Sequence, residues 1–212
     1  MRNAFVLGNG PTLPDLHVLT WHLNHQLTIG VNRILRTGFT PTAILIADSD
    51  VFEEERERLE QTDALVVVTE GLPLLPGSAQ VHSWPGFSSS DPRGQDPAWI
   101  VLDGSTGSGA TRWAMWFADR VFMVGCSGTY APPDETTGGK PKTDCWGFNP
   151  QHRKDAREMF GRERVKVLGD FPGKVLATDD PTIWKLNEPT AQEVYRDEIR
   201  AALTKAGARW GE

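Results

Sequence analysis

Short apolar runs recur along the chain, each followed by a polar or amphipathic stretch. Residues 4–7, 27–31, 43–47, 64–69, 100–102, 121–124 and 165–168 read as strands, with 175–177 a further candidate. Several are continuously apolar rather than alternating, which is the pattern of strands covered on both faces. The intervening stretches carry helix signals. Thr190-Ala191-Gln192-Glu193 has the form of a capping box, in which the threonine accepts from an orphan amide and the glutamate reaches back. Val194, Ile199 and Leu203 follow at helical spacing, and Gly207 stands where a C-terminal cap belongs. Asn149-Pro150 opens another helix that closes at Gly161. Asp50 with Glu53 is expected to cap a charged helix through Leu59, and 107–119 reads as a tryptophan-rich helix packed on the sheet. Strands alternating with helices predict an α/β fold whose sheet is mostly parallel, with helices on both faces.

Two stretches fit neither element. Residues 71–97 hold several Pro, Gly and Ser around a strand-like 80–83, and 126–148 is rich in Gly, Pro, Thr and Asp. Loops of this length in a compact domain are binding loops or lids, so both are expected over the C-terminal ends of the strands. The segment 126–148 is the expected lid or acceptor loop. No repeat and no clean linker interrupts the pattern, so 1–212 reads as one domain. At 212 residues such a domain buries roughly 70% of its unfolded surface and needs no staples.

Charge narrows the partners. A net charge of −6, from 22 basic and 28 acidic residues, argues against nucleic acid or an anionic membrane as the main partner. The basic stretch from Arg112 to Lys166 reads as solvated helix faces. The longest strictly apolar run, 113–118, is six residues, too short for a bilayer span. The apolar stretch at 4–7 is likewise too short for a secretory signal. Two cysteines exclude a disulfide scaffold and a four-thiolate zinc site. The expectation is a soluble, cytoplasmic domain.

Candidate chemistry sits directly after the strands. Gly8-Asn9-Gly10-Pro11 follows the first, where glycines let the backbone approach a phosphate or nucleoside. The rest of the dinucleotide fingerprint is missing: Leu13 replaces the third glycine, and Asn32 stands where an acid would hold a ribose. That excludes a standard NAD site and leaves a tight turn as the plain alternative. A second cluster, Ser105, Thr106, Gly107 and Ser108, opens the helix after strand 100–102. It resembles a Walker A loop with Ala110 in place of lysine, so a phosphate-transferring P-loop is excluded. Free amides and hydroxyls at a helix start still favour an anion by ~0.3–1 kcal/mol. A close helix-on-strand crossing explains the same small residues.

Asp48-Ser49-Asp50 ends the third strand, and two carboxylates there suit magnesium or manganese against a diphosphate. Asp50 serves equally well as a helix cap. His17, His22 and His25 read as a solvated helix end, and Cys126 as a reduced, half-buried thiol.

Taken in order, Leu7-Gly8-Asn9-Gly10-Pro11-Thr12, then Gly30-Val31-Asn32, then Ser105-Thr106-Gly107 before Val124-Gly125, resemble the bacterial lipo-oligosaccharide sialyltransferases. The wider group includes motility-associated flagellin glycosyltransferases and archaeal-type 6-hydroxymethylpterin diphosphokinases. The resemblance runs over about 4–168 and implies a Rossmann-like fold that binds an activated nucleotide donor at these turns. It implies that Asn9 and Asn32 contact the donor nucleotide, with Thr106 nearby; the donor phosphate is expected on Gly8, Gly10 and Pro11 and at the helix start Ser105, Gly107 and Ser108, with Asp48 in the same nucleotide site. It further implies that Tyr130 helps the phosphate leave, although Tyr130 is one residue out of step. Cys126-Ser127 stands where the family carries an aspartate.

His152 falls between the long loop and the next strand, as the family's catalytic histidine does. At the start of the helix opened by Pro150, the positive helix end favours a neutral ring able to accept a proton. The expected activity is transfer of a sugar from a nucleotide donor to a hydroxyl acceptor, which would be a glycan, a small molecule or a modified base. One alternative is a diphosphokinase-like transferase using ATP and magnesium, with Asp48 and Asp50 as ligands. Another is a nucleotide-binding or assembly protein without catalysis. No cofactor beyond the donor is required by the first reading.

Overall fold

The computed structural model describes residues 2–9, 13, 15–84, 96–101, 106–125, 130–131, 142–143, 165–167 and 187–212. Strand β1 (Asn3–Leu7) leads through helix α1 (Leu16–Leu23) to β2 (Leu27–Val31) and a 3-10 turn at Ile34–Thr37. Next come β3 (Ala43–Ile46), α2 (Ser49–Gln61), β4 (Leu65–Thr69), β5 (Ala79–Trp84) and β6 (Trp99–Val101). Helix α3 (Thr106–Ala114) precedes β7 (Arg120–Val124), β8 (Tyr130–Ala131), β9 (Lys142–Thr143) and β10 (Val165–Val167). The chain closes with the last helix, α4 (Gln192–Lys205), and β11 (Arg209–Trp210).

The main sheet runs β10-β7-β1-β2-β3-β4-β5-β11, with β6 also paired to β5. Every pairing in it is parallel except the short edge contact of β11 with β5. Strands β8 and β9 form a separate antiparallel ribbon. This is the α/β, Rossmann-like architecture expected from the pattern.

Alternate residues of β1, β3, β4 and β7 enter two cores. Phe5, Leu7, Ile44, Ile46, Val66, Val68, Phe122 and Val124 pack with Leu19 and Leu23 of α1 and Val51, Phe52 and Leu59 of α2. Ala4, Val6, Leu27, Ile29, Leu45, Leu65 and Val67 pack with Trp113 of α3 and Tyr195, Ile199 and Leu203 of α4. Both faces exclude water, which is why the strands read as unbroken apolar runs. Trp113 is fully buried, and its indole N–H donates to the Pro97 carbonyl at 2.9 Å. A buried ring of this size is tolerated because its one polar atom has a partner.

Three helix ends depart from the sequence expectation. Helix α2 starts at Ser49 with Asp48 in the cap position, so Asp50 lies inside the first turn and is not the cap. Helix α4 is capped by Ala191, and the Thr190 hydroxyl donates to the Glu188 carbonyl instead of closing a capping box. Tertiary contacts override the local motif there, because Gln192 is fastened to the Asn24 and Gln26 carbonyls, both at 2.8 Å. Helix α3 ends at Ala114 rather than at residue 119, and three successive three-residue bonds from Met115, Trp116 and Phe117 tighten its exit.

Gly207 performs as expected. At φ +83 it lets its own N–H reach the Thr204 carbonyl and that of Ala208 reach Leu203, a Schellman closure. The predicted helix at 149–161 and strand at 175–177 lie outside the described residues.

Candidate functional site

The order of the strands creates the site. From β1 the chain moves to β2 on one side, whereas β7, on the other flank of β1, leads on to β10 away from it. Connections that diverge in this way leave a crevice at the C-terminal ends of the two strands, where open α/β sheets bind ligands. The crevice walls are Gly8 and Gly125. Gly8 donates its N–H to the Val124 carbonyl at 2.8 Å. Gly125 has φ +68, and a Cβ there would stand 2.9 Å from Leu13 Cβ and 3.0 Å from the Gly8 carbonyl oxygen. Only glycine permits both that backbone and that approach.

Asn9 and Asn32 carry the rim onto β2. The Asn9 amide donates from Nδ2 to the Val31 carbonyl at 3.0 Å, tying the first turn to the end of the second strand. Asn32 adopts the left-handed region at φ +52, which asparagine tolerates better than other side chains. Its own N–H donates to the Leu45 carbonyl at 3.3 Å. Its Oδ1 is buried and has no hydrogen-bond partner among the described residues. The turn after Asn32 is held in place by ion pairs to α2, from Arg33 to Glu54 at 2.5 Å and from Arg36 to the fully buried Glu55. The turn that follows this buried acceptor is thus braced against α2.

The third strand and α3 complete the rim. The exposed Asp48 caps α2 by position without a side-chain capping bond. Its Oδ2 instead accepts from Thr106 Oγ1 at 3.3 Å, joining residues 58 apart in sequence. Helix α3 crosses β1 and β2, which brings its N-terminus, Thr106 and Gly107, over the strand ends. Five residues singled out from the sequence, Gly8, Asn9, Asn32, Asp48 and Thr106, therefore stand along one rim, with Gly107 beside them.

Others are not brought there by what is described. Gly10, Pro11, Ser105 and His152 lie outside the described residues, as does Cys126. Ser108 belongs to α3, and Tyr130 belongs to the separate β8–β9 ribbon. Among the described residues no three His, Cys, Asp or Glu side chains gather as metal ligands.

Chemically, the rim offers acceptors at Asn32 and Asp48, the positive end of α3, and a glycine-walled backbone against which Leu13 packs. Such a set matches a ligand with hydroxyl or amino donors at one end and an anionic group at the other. The orphan at Asn32 has a sequence signal, an asparagine directly after a strand, but its lack of a partner emerges only from the packing. The Asp48–Thr106 contact has no sequence signal at all. No family model, no curated protein and no solved structure matches this chain, so the functional reading rests on the site itself.

Proposed function

We propose that this chain is a glycosyltransferase that takes a sugar from a nucleotide donor and passes it to a hydroxyl acceptor. The observation that carries the reading is Asn32, whose buried carbonyl oxygen has no partner among the described residues and sits on a left-handed backbone beside the β1–β7 crevice. A buried acceptor without a donor costs about 1–3 kcal/mol, a deficit that a nucleoside hydroxyl or amino group would remove. Asp48 supplies a second acceptor for the same nucleoside, while the start of α3 favours the donor phosphate. The choice of a sugar as the transferred group comes from the resemblance of the glycine–asparagine turns to the sialyltransferases.

In this mechanism His152 takes the proton of the acceptor hydroxyl as its oxygen bonds to the anomeric carbon. The bond from that carbon to the donor phosphate breaks, its electron pair stays on the phosphate oxygen, and Tyr130 donates a hydrogen bond to the departing group. His152→Ala is expected to lower turnover by ~10²–10⁴-fold with donor affinity nearly intact.

A thermal-shift screen of CMP, UDP, GDP, ADP and their sugar conjugates, with and without magnesium, tests the proposal. A ligand at a hundredfold its dissociation constant stabilises by ~2.7 kcal/mol. Absence of stabilisation by every nucleotide would overturn the reading. The exposed Asp48 carboxylate at a strand end favours the diphosphokinase-like alternative as the second reading. Strict magnesium dependence with consumption of ATP would establish that alternative.

A further inference from the structure

A second cleft opens on the same side of the sheet, past the end of β4. It has a volume of about 570 Å³ and is lined by Glu70, Leu72, Pro73, Gln80, His82 and Arg209 among others. That volume falls within the ~300–1,000 Å³ typical of small-molecule clefts. Its floor follows from strand alternation. Ala79 and Val81 enter the core with α3 and α4, so Gln80 and His82 face the other way, toward the loop after β4.

The polar groups of the cleft form two ends. At one, His82 Nδ1 lies 3.0 Å from Glu70 Oε2, and the imidazole stacks on Trp99 with ring centroids 4.5 Å apart. At the other, Arg209 donates to Gln80 Oε1 at 3.1 Å, and Gln80 Nε2 donates to the Leu72 carbonyl at 2.9 Å. One of the five guanidinium N–H donors is thereby used, and no carboxylate among the described residues pairs with Arg209. Gln80 and His82 are two residues apart on one strand, so the backbone positions that anchor the two ends are about 7 Å apart. That is the span of one pyranose ring with its substituents.

We propose that this cleft binds a sugar acid, a hydroxyl-rich ring carrying a single carboxylate. Arg209 takes the carboxylate through its free fork, the geometry in which guanidinium is strongest. Gln80 and the Glu70–His82 pair take ring hydroxyls, and Pro73 and Leu72 meet the C–H face. One cation at one end and one carboxylate at the other select a monoanion, because Glu70 disfavours a second negative charge such as a phosphate dianion would bring. Glu70 follows β4 as Asn32 follows β2, so the cleft begins about 10 Å along the rim from Asn32, two strand spacings away. Its role as the acceptor subsite rests on the transferase reading; binding of the sugar acid does not.

Isothermal titration of the full chain with glucuronate, glucose and the methyl ester of glucuronate tests this. Glucuronate is expected to bind one to one, with both neutral sugars weaker by about tenfold or more. Arg209→Gln is expected to bring glucuronate down to the level of glucose, and His82→Ala to weaken all three sugars. Melting curves of both variants check that they fold, and the nucleotide-induced thermal shift is expected to be unchanged in them. No binding of glucuronate, equal binding of glucose, or unaltered affinity in Arg209→Gln would each overturn the proposal. Glucuronate binding in a chain that binds no nucleotide would support the cleft while overturning the transferase reading.

Discussion

The two ends of the sheet are built on different principles. At the N-terminal ends of the strands, side-chain amides and hydroxyls reach back to the backbone in reciprocal pairs. Asn187 accepts from the Asn3 N–H at 2.7 Å and donates to the Asn3 carbonyl at 2.8 Å, across 184 positions of sequence. Gln26 and Asn187 repeat that exchange at 2.7 and 3.1 Å, and the Thr28 and Thr42 hydroxyls each accept from the other's N–H. Gln192 then ties the start of α4 to the same corner. At the C-terminal ends, among the described residues, the Asn9 amide reaches the Val31 carbonyl at 3.0 Å, Thr106 reaches Asp48 at 3.3 Å, and the buried Asn32 Oδ1 has no hydrogen-bond partner. The closed end stabilises the fold. The open end leaves one buried acceptor without a partner among the described residues, and glycine at 125 lets the backbone close against Leu13 and the Gly8 carbonyl.

Substitutions at the two ends should therefore separate stability from binding. The largest effect is expected at Gly125, where Gly125→Val adds a β-branched side chain to a left-handed backbone and drives it into Leu13. A loss of ~3 kcal/mol, or roughly 6–12 °C in melting temperature, is expected together with loss of nucleotide binding. A variant that melts like the parent would show that the crevice walls are not as close as described. At the closed end, Asn187→Ala strands the N–H and carbonyl of Asn3. It should cost about 2 kcal/mol, roughly 4–8 °C, and leave nucleotide affinity unchanged. A fall in affinity there would mean that the two ends are coupled.

Asn32→Gly inverts that outcome. Glycine accepts φ +52 and removes the orphan acceptor, so calorimetry should find stability within ~1 kcal/mol of the parent. Nucleotide affinity, in contrast, should fall about tenfold, or ~1.4 kcal/mol. The smallest effect is expected from Asp48→Asn, which can still accept from Thr106 and should alter stability by no more than ~0.5 kcal/mol. If that variant also loses all activity in a magnesium-dependent manner, Asp48 is a metal ligand and the diphosphokinase-like reading takes over.

Local pattern alone determined where the chain becomes sheet. Strands β2, β3 and β4 lie within a residue of the positions read from apolar runs, because burial on both faces leaves a continuous signature in the sequence. Gly207 was legible for a similar reason, since a left-handed helix exit is a demand made on one residue. The glycine–asparagine turns after β1 and β2 were visible as well, and with them Gly8, Asn9 and Asn32. What no window of sequence contains is the order of the strands. Placing β7 against β1 is a non-local pairing, and it alone converts Gly8 and Gly125 into facing walls. The same holds for Asp48 and Thr106, and for the start of α4, where Gln192 displaces Thr190 from its expected role. Capping motifs and periodicity report on a few neighbouring residues, whereas these contacts depend on which distant segments the closed core leaves side by side.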